Sequence, residues 1–307
     1  MNFKLLNVVI AVLFSTLVLA QSSDNNLYVN QVGSGSTVSV TQQGNGNNIG
    51  GTGTGGPSTG NAAVLSGGAQ TVTINQIGND NSLQVNLTDV TSGTGTLAYR
   101  SSGSNNTGIV DSTSTGAGNF ISSINYGSSN ATNTNIQGNN NVVSNRIGTS
   151  TASSNSNTLN NSVNGDNNVA TTTVRGGDSN SVTVIQGMGS TLINTIDVPT
   201  GLQDQAGTFG TGSTASNSSA TATVVGASNT VAIGQVGANQ SATLSITGGS
   251  NSVTLAQSGN SGNTATVSLT GDSNTANIAQ NSTSTTANTL NLQSTGNSNT
   301  FTILQRH

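Results

Sequence analysis

Along most of this chain apolar side chains fall at every second residue, in short runs that begin at Asn, Gln or Ser and stop at Gly. From Asn229 the inward series is Val231, Ile233 and Gln235 before Gly237; from Gln240 it is Ala242, Leu244 and Ile246 before Gly248. Asn251 leads to Val253, Leu255 and Gln257 before Gly259, Asn263 to Ala265, Val267 and Leu269 before Gly271, and Asn274 to Ala276, Ile278 and Gln280. Asn288 then leads to Leu290, Leu292 and Gly296, and Asn299 to Phe301, Ile303 and Gln305. The same frame opens the chain after residue 20. Asn25 precedes Leu27, Val29, Gln31 and Gly33, Ser36 precedes Val38, Val40, Gln42 and Gly44, and Gln70 precedes Val72, Ile74, Gln76 and Gly78. Further arms start at Asn81, Asn157, Asn168 and Asn180, the last reaching Gln186. Between Asn119 and Gly138 the spacing persists, but Ser123, Asn125 and Thr134 occupy inward positions.

The rule is eight residues from Asn to Gly and three from Gly to the next Asn. An eleven-residue period is also that of a right-handed helical coiled coil. The two-residue alternation and the wealth of Gly, Asn, Thr and Val, all weak helix formers, exclude it. Each arm is therefore predicted to be a half-buried strand and each Gly-x-x-Asn a tight turn. Gly44, Gly78, Gly237, Gly248, Gly271 and Gly296 would supply positive φ, and Asn47, Asn81, Asn251, Asn274 and Asn299 would tolerate the left-handed conformation and cap the backbone. Two facing arms make a coil of about 22 residues, and stacked coils make an all-β, two-sided β-solenoid with a thin dry core. The rhythm fails at 50–69, 89–105 and 188–217, which read as loops bulging from turns of a single domain spanning 21–307.

Composition agrees with this frame. Hydrophobic residues are 31% of the 307, charged residues 5%, and roughly half the chain is Asn, Gln, Ser and Thr. A core only two strands wide needs about three inward side chains per arm, so that polar excess is compatible with folding. Residues 1–20 read as a secretory signal peptide: Lys4, an apolar stretch from Leu5 to Leu19, and the small-residue site Val18-Leu19-Ala20. With no Cys, the exported chain would not rely on disulfides. A net charge of -4 without a basic run argues against a nucleic-acid partner.

Gln31, Gln42, Gln76, Gln186, Gln235, Gln257, Gln280 and Gln305 share the third inward position. A buried amide needs its hydrogen bonds met. Coil stacking would place an equivalent amide above and below, giving an axial ladder of the kind seen in cross-β structures; the alternative is a partly solvated strand end. No set of residues resembles a catalytic acid–base pair, so neither enzyme activity, cofactor nor small-molecule substrate is expected. Asp80, Asp166, Asp178 and Asp272 lie in turns, but too irregularly for a calcium-binding repeat.

The string Asn229-x-Val-x-Ile-x-Gln235-x-Gly237-x-x-Gln240-x-Ala242 resembles the curlin repeat, with its Gln-x-Gly-x-x-Asn-x-Ala hallmark. Gln42-Gln-Gly-Asn-Gly-Asn47 and Gln76-Ile-Gly-Asn-Asp-Asn81 fit, as does Gln257-Ser-Gly259 followed by Asn263-Thr-Ala265 with one residue inserted. Departures are Ile246 and Leu269 where curlins place a second Gln, and repeats that begin close behind the signal segment. The resemblance implies a secreted structural subunit of curli-like amyloid fibres in a biofilm matrix. It further implies self-assembly as a homopolymer, with a nucleator subunit and an outer-membrane secretion pore as partners. Growth would proceed by templated strand addition at uncovered solenoid ends. Two rival readings are a non-polymerising adhesin that binds through the loops, and an ice-binding protein with outward pairs Thr71/Thr73, Thr221/Thr223 and Thr264/Thr266.

Overall fold

A computed structural model describes residues 16–21, 24–33, 35–51, 61–89, 95–116, 118–187, 214–259, 261–282 and 286–306. All of its regular structure is β, and every strand pair is parallel, as a solenoid requires. The chain divides into two compact units, residues 1–156 and 157–307.

In unit one the front sheet stacks β1 (Thr16–Gln21), β4 (Thr37–Gln43), β7 (Thr71–Ile77), β9 (Thr96–Ser102), β11 (Phe120–Tyr126) and β13 (Val142–Ile147), in that order. Its back sheet stacks β2 (Asn26–Leu27), β5 (Asn48–Gly50), β8 (Ser82–Asp89), β10 (Thr107–Ser114) and β12 (Ala131–Gln137). Two short strands, β3 (Val29–Gly33) and β6 (Ala63–Gly67), complete the arms begun by β2 and β5. In unit two the front sheet is β15 (Val169–Arg175), β18 (Ser219–Val225), β20 (Ser241–Thr247), β22 (Thr264–Thr270) and β24 (Thr289–Thr295). The back sheet is β14 (Thr158–Asp166), β16 (Ser181–Gln186), β19 (Thr230–Ala238), β21 (Ser252–Gly259), β23 (Thr275–Ser282) and β25 (Thr300–Arg306). The short β17 (Ala215–Ser216) bridges the ends of β14 and β19.

Successive arms thus alternate between two sheets whose inward side chains meet. Val231, Ile233, Val253, Leu255, Ala276 and Ile278 of the back sheet are buried opposite Ala242, Leu244, Ile246, Ala265, Val267 and Leu269 of the front sheet. The fold class read from the alternation is the observed one: a two-sheet parallel β-solenoid.

Several details differ from the sequence reading. Thr96–Ser102, within the segment expected to be a loop, is a complete arm with Leu97, Tyr99 and Ser101 buried. Its single large aromatic and its inward Ser hide the usual Val/Ile alternation. Segment 50–69 does not bulge from a turn. It interrupts an arm between β5 and β6, whose neck is closed by Gly51 N–H donating to the Asn61 carbonyl (2.8 Å); residues 52–60 lie outside the described set. Of 188–217, only the end is described, and it holds β17. The expected signal segment contributes β1, which pairs with β4 in the register Thr16↔Val38; residues 1–15 lie outside the described set.

The turns have a fixed construction. Gly78 has φ 112 and Asp80 φ 56; Gly248 and Ser250 have 124 and 57. The left-handed residue is thus the one before the turn Asn, and the Asn itself already belongs to the next arm. That corrects the expectation that Asn holds the left-handed position. The Gly has a second, stacking requirement: a Cβ on Gly78 would run into the Gly103 carbonyl, and one on Gly248 into that of Gly271.

Candidate functional site

The back sheet of unit two holds a continuous glutamine ladder. Gln186 Nε2 donates to Gln235 Oε1 (2.9 Å), Gln235 to Gln257 (2.9 Å), Gln257 to Gln280 (2.8 Å) and Gln280 to Gln305 (2.8 Å). Each amide also reaches across the core to a front-sheet carbonyl. Gln235 donates to Ser219 (2.9 Å), Gln257 to Ser241 (3.0 Å) and Gln280 to Thr264 (3.0 Å). The next residues are Ala220, Ala242 and Ala265, whose single methyl groups leave room for the crossing amide. One amide per coil therefore ties coil to coil and sheet to sheet, and satisfaction on both counts removes the cost of burying it.

In unit one the Gln residues are not all brought together. Gln42 donates to Gln76 (3.0 Å), but the next position in that column is Ser101, so the ladder has two members. Gln31 lies beside Leu65, and its Nε2 is buried without a hydrogen-bond partner. At the start of the longer ladder, Gln186 follows Val163, and its Oε1 is likewise unpartnered.

A second set of ladders is made by the Asn residues that begin the arms. In unit two, Asn157 Oδ1 accepts from both the backbone N–H and the Nδ2 of Asn180 (2.9 Å each). The same double bond links Asn180 to Asn229, Asn229 to Asn251, Asn251 to Asn274 and Asn274 to Asn299, at 2.9–3.0 Å. Asn251 Nδ2 also holds the Gly271 carbonyl (2.9 Å), tying the ladder to the turn glycines. Unit one repeats this through Asn47, Asn81, Asn106 and Asn130. Except for half-buried Asn299 at the end of the ladder, these side chains are buried rather than facing solvent in the turns. The sequence signal for them was the fixed Asn at the head of nearly every arm.

Unit one fills its core differently. Ser123 Oγ lies 3.3 Å from Thr132 Oγ1, Asn145 Nδ2 donates to Thr134 Oγ1 (3.0 Å), and Asn119 Nδ2 to Ser112 Oγ (3.0 Å). Tyr99 is buried, and its ring occupies the space that a Cβ at Gly108 would need: Tyr99 Cε2 would lie 2.6 Å away. Burial pushes the Tyr99 phenol up to about 12, an effect only partly offset by Asn125 and Ser101. Asp111, on the outer face of the back sheet, is also pushed upward by burial. Among the turn acids, Asp272 Oδ1 accepts from the Gly249 N–H (2.6 Å) and so links neighbouring turns. Among the described residues no three His, Cys, Asp or Glu side chains converge, and no helix is long and apolar enough to cross a membrane.

Among the described residues, β24 and β25 are the last strands of their sheets, each with one paired neighbour. Their inward Leu290, Leu292, Phe301 and Ile303 are half-exposed, whereas the equivalent Leu244, Val267, Leu255 and Ile278 are buried.

Stacked parallel arms and axial amide ladders define a class: a repetitive parallel β-solenoid. Within it, residues 226–259 match the family model described as Curlin associated repeat, which supports a curlin-like family. That match spans β19 and β21 with the arm between them, where both ladders are continuous. No curated protein and no solved structure matches the chain.

Proposed function

We propose that this protein is a secreted subunit of a curli-like extracellular fibre and assembles by adding copies to its solenoid ends. The observation that carries this reading is the state of β24 and β25. Among the described residues their outer backbone edges have no strand beside them, their inward apolar side chains are half-exposed, and both ladders end there, at Gln305 and Asn299. Gln305 retains donor capacity toward a further coil, and Asn299 Oδ1 stands where Asn157, Asn180, Asn229, Asn251 and Asn274 of the same ladder each accept two bonds. A second copy offering parallel arms would satisfy all three features at once. The function is mechanical, with the structural role coming from the same bonds that fold the chain. In a matrix, such fibres would serve cohesion and adhesion. The test is to incubate purified residues 21–307 and record fibre diffraction and seeding. Fibres with the strand repeat of about 4.8 Å along the axis, and shortened lag on seeding, are expected. A chain that stays monomeric and ignores seeds would refute the proposal.

One observation favours a second reading, ice binding. On the front sheet of unit two, Thr171, Thr221, Thr243 and Thr266 are aligned by strand register, with Thr173, Thr223, Ser245 and Ser268 beside them. An ice-recrystallisation assay on the monomer separates this reading from the first: inhibition that Thr221→Val and Thr243→Val abolish would support it.

A further inference from the structure

The outer face of the front sheet is not uniform. On β11 of unit one the outward residues are Phe120, Ser122, Ile124 and Tyr126, an apolar row where most arms carry Ser and Thr. Phe120 is 45% exposed, and such an aromatic on a solvent-facing strand is a cost that folding does not require. Both neighbours of Ile124 in the sheet are arginines, Arg100 on β9 and Arg146 on β13. Those two account for half of the four arginines in the chain, and the sequence holds them 46 positions apart. Neither is a loose surface cation. The Arg100 guanidinium sits 5.3 Å from the Tyr126 ring centroid, and Arg146 Nε donates to the Gly148 carbonyl (3.3 Å). No Asp or Glu faces outward on β4, β7, β9, β11 or β13, although the whole chain has a net charge of -4.

We infer that this face binds an acidic polysaccharide, laid along β11. The apolar row forms a floor roughly 20 Å long from Phe120 to Tyr126, and the arginines flank it at a spacing of roughly 10 Å. A sugar ring presents an apolar face that stacks on the exposed Phe120 ring, while carboxylates at its edge reach outward to the guanidinium groups on either side, Arg100 being held over the Tyr126 ring. The floor is flat, as an extended ribbon-like polymer needs. Duplex DNA is a poorer fit, because it carries a charge every ~1.7 Å and two cations on a net acidic chain neutralise little of it. The site lies on the outer face, away from the end strands, so it stays accessible whether or not copies stack. The inference is independent of fibre assembly.

Its test is binding of freshly prepared monomer to sodium polygalacturonate at low ionic strength, with fully methyl-esterified polygalacturonate, duplex DNA and phosphatidylglycerol vesicles as parallel probes. Saturable, salt-sensitive binding to polygalacturonate and none to its neutral ester is expected. Arg100→Gln with Arg146→Gln should weaken it about tenfold or more, and Phe120→Ser with Tyr126→Ser by a similar factor. Arg175→Gln, on the front sheet of unit two, should leave binding unchanged. These positions face outward, so an unaltered melting temperature establishes that the variants are folded. Equal loss in Arg175→Gln, tighter binding to DNA or vesicles than to polygalacturonate, or full binding by the double Arg variant would overturn the inference.

Discussion

Unit two and unit one are built on one eleven-residue arm but fill it by different rules. In unit two, from β16 onward, inward positions keep their chemical type from coil to coil: Val231 over Val253, Ile233 over Leu255, Gln235 over Gln257. Identical neighbours along the axis let each Gln and Asn find its own kind above and below, and so one residue type solves the burial problem at every level. In unit one the column below Gln76 changes to Ser101 and then Asn125, and the ladder gives way to local bonds such as those of Ser123 and Asn145. Bulk is balanced there pair by pair, with Tyr99 filling the space left by Gly108. A small cavity of about 10 Å³, lined by Gln70, Ser112 and Asn119 among others, remains in this region, room for roughly one water. Repetition satisfies polar groups collectively, whereas variation must satisfy each by a specific neighbour.

The sharpest way to break the regular unit is Asn251→Leu. It leaves the amide and side chain of Asn274 and the Gly271 carbonyl without their acceptor and donor, and should cost about 3–5 kcal/mol in urea unfolding of the monomer. Gln257→Ala should follow at about 2–3 kcal/mol, since it frees the Gln235 amide and a core void together. In unit one the corresponding weak point is steric. Gly108→Ala should cost about 2 kcal/mol, and less when Tyr99→Leu is also present, because two of the three closest atoms, Tyr99 Cε2 and Oη, belong to Tyr99 and the third is the flexible end of Leu83. A loss that Tyr99→Leu does not relieve would show that the pair is not the reason for the glycine.

Tyr99 also gives the irregular unit a distinct pH response. Burial raises its pKa to about 12, above the ordinary phenol value of 10.0. The folded state therefore holds the proton longer, and stability present below pH 10 is lost as pH rises toward 12, at about 1.4 kcal/mol per unit. Tyr99→Phe should flatten that fall, as followed by hydrogen exchange in β9 and β10, while exchange in unit two is unchanged. The smallest effect is expected for Ser123→Ala, which removes one 3.3 Å bond to Thr132 Oγ1 while that oxygen still accepts from Asn125 Nδ2, and should shift stability by less than about 1 kcal/mol. A larger loss would mean that this pair orders the core of unit one.

What could be read from the chain depended on how periodic each region is. Arms with Val, Ile or Leu at alternate positions were legible, and so was the shared inward position of the Gln residues. The 96–102 arm was not, because Tyr99 and Ser101 break the aliphatic signature while still pointing inward. Gln31 shows the opposite limit: it has the right frame, but an insertion shifts Leu65 into the place of its axial partner. The Asn at the head of each arm looked like turn chemistry. Its burial and its double acceptor role depend on the coil above, which local spacing does not reveal.

The sequence alone determined the strand period, the turn spacing and hence a two-sheet solenoid, because alternation and Gly-x-x-Asn are local and repeat within a few residues. Only the tertiary structure decided which columns align. Registers such as Gln42↔Gln76 and Thr107↔Ser82 bridge 34 and 25 residues, so insertions of unequal length set who stands above whom. The same stacking brings Arg100 and Arg146 to either side of Ile124. Axial contact is a sum over whole coils, and a single changed loop length reassigns every hydrogen bond and charge beyond it.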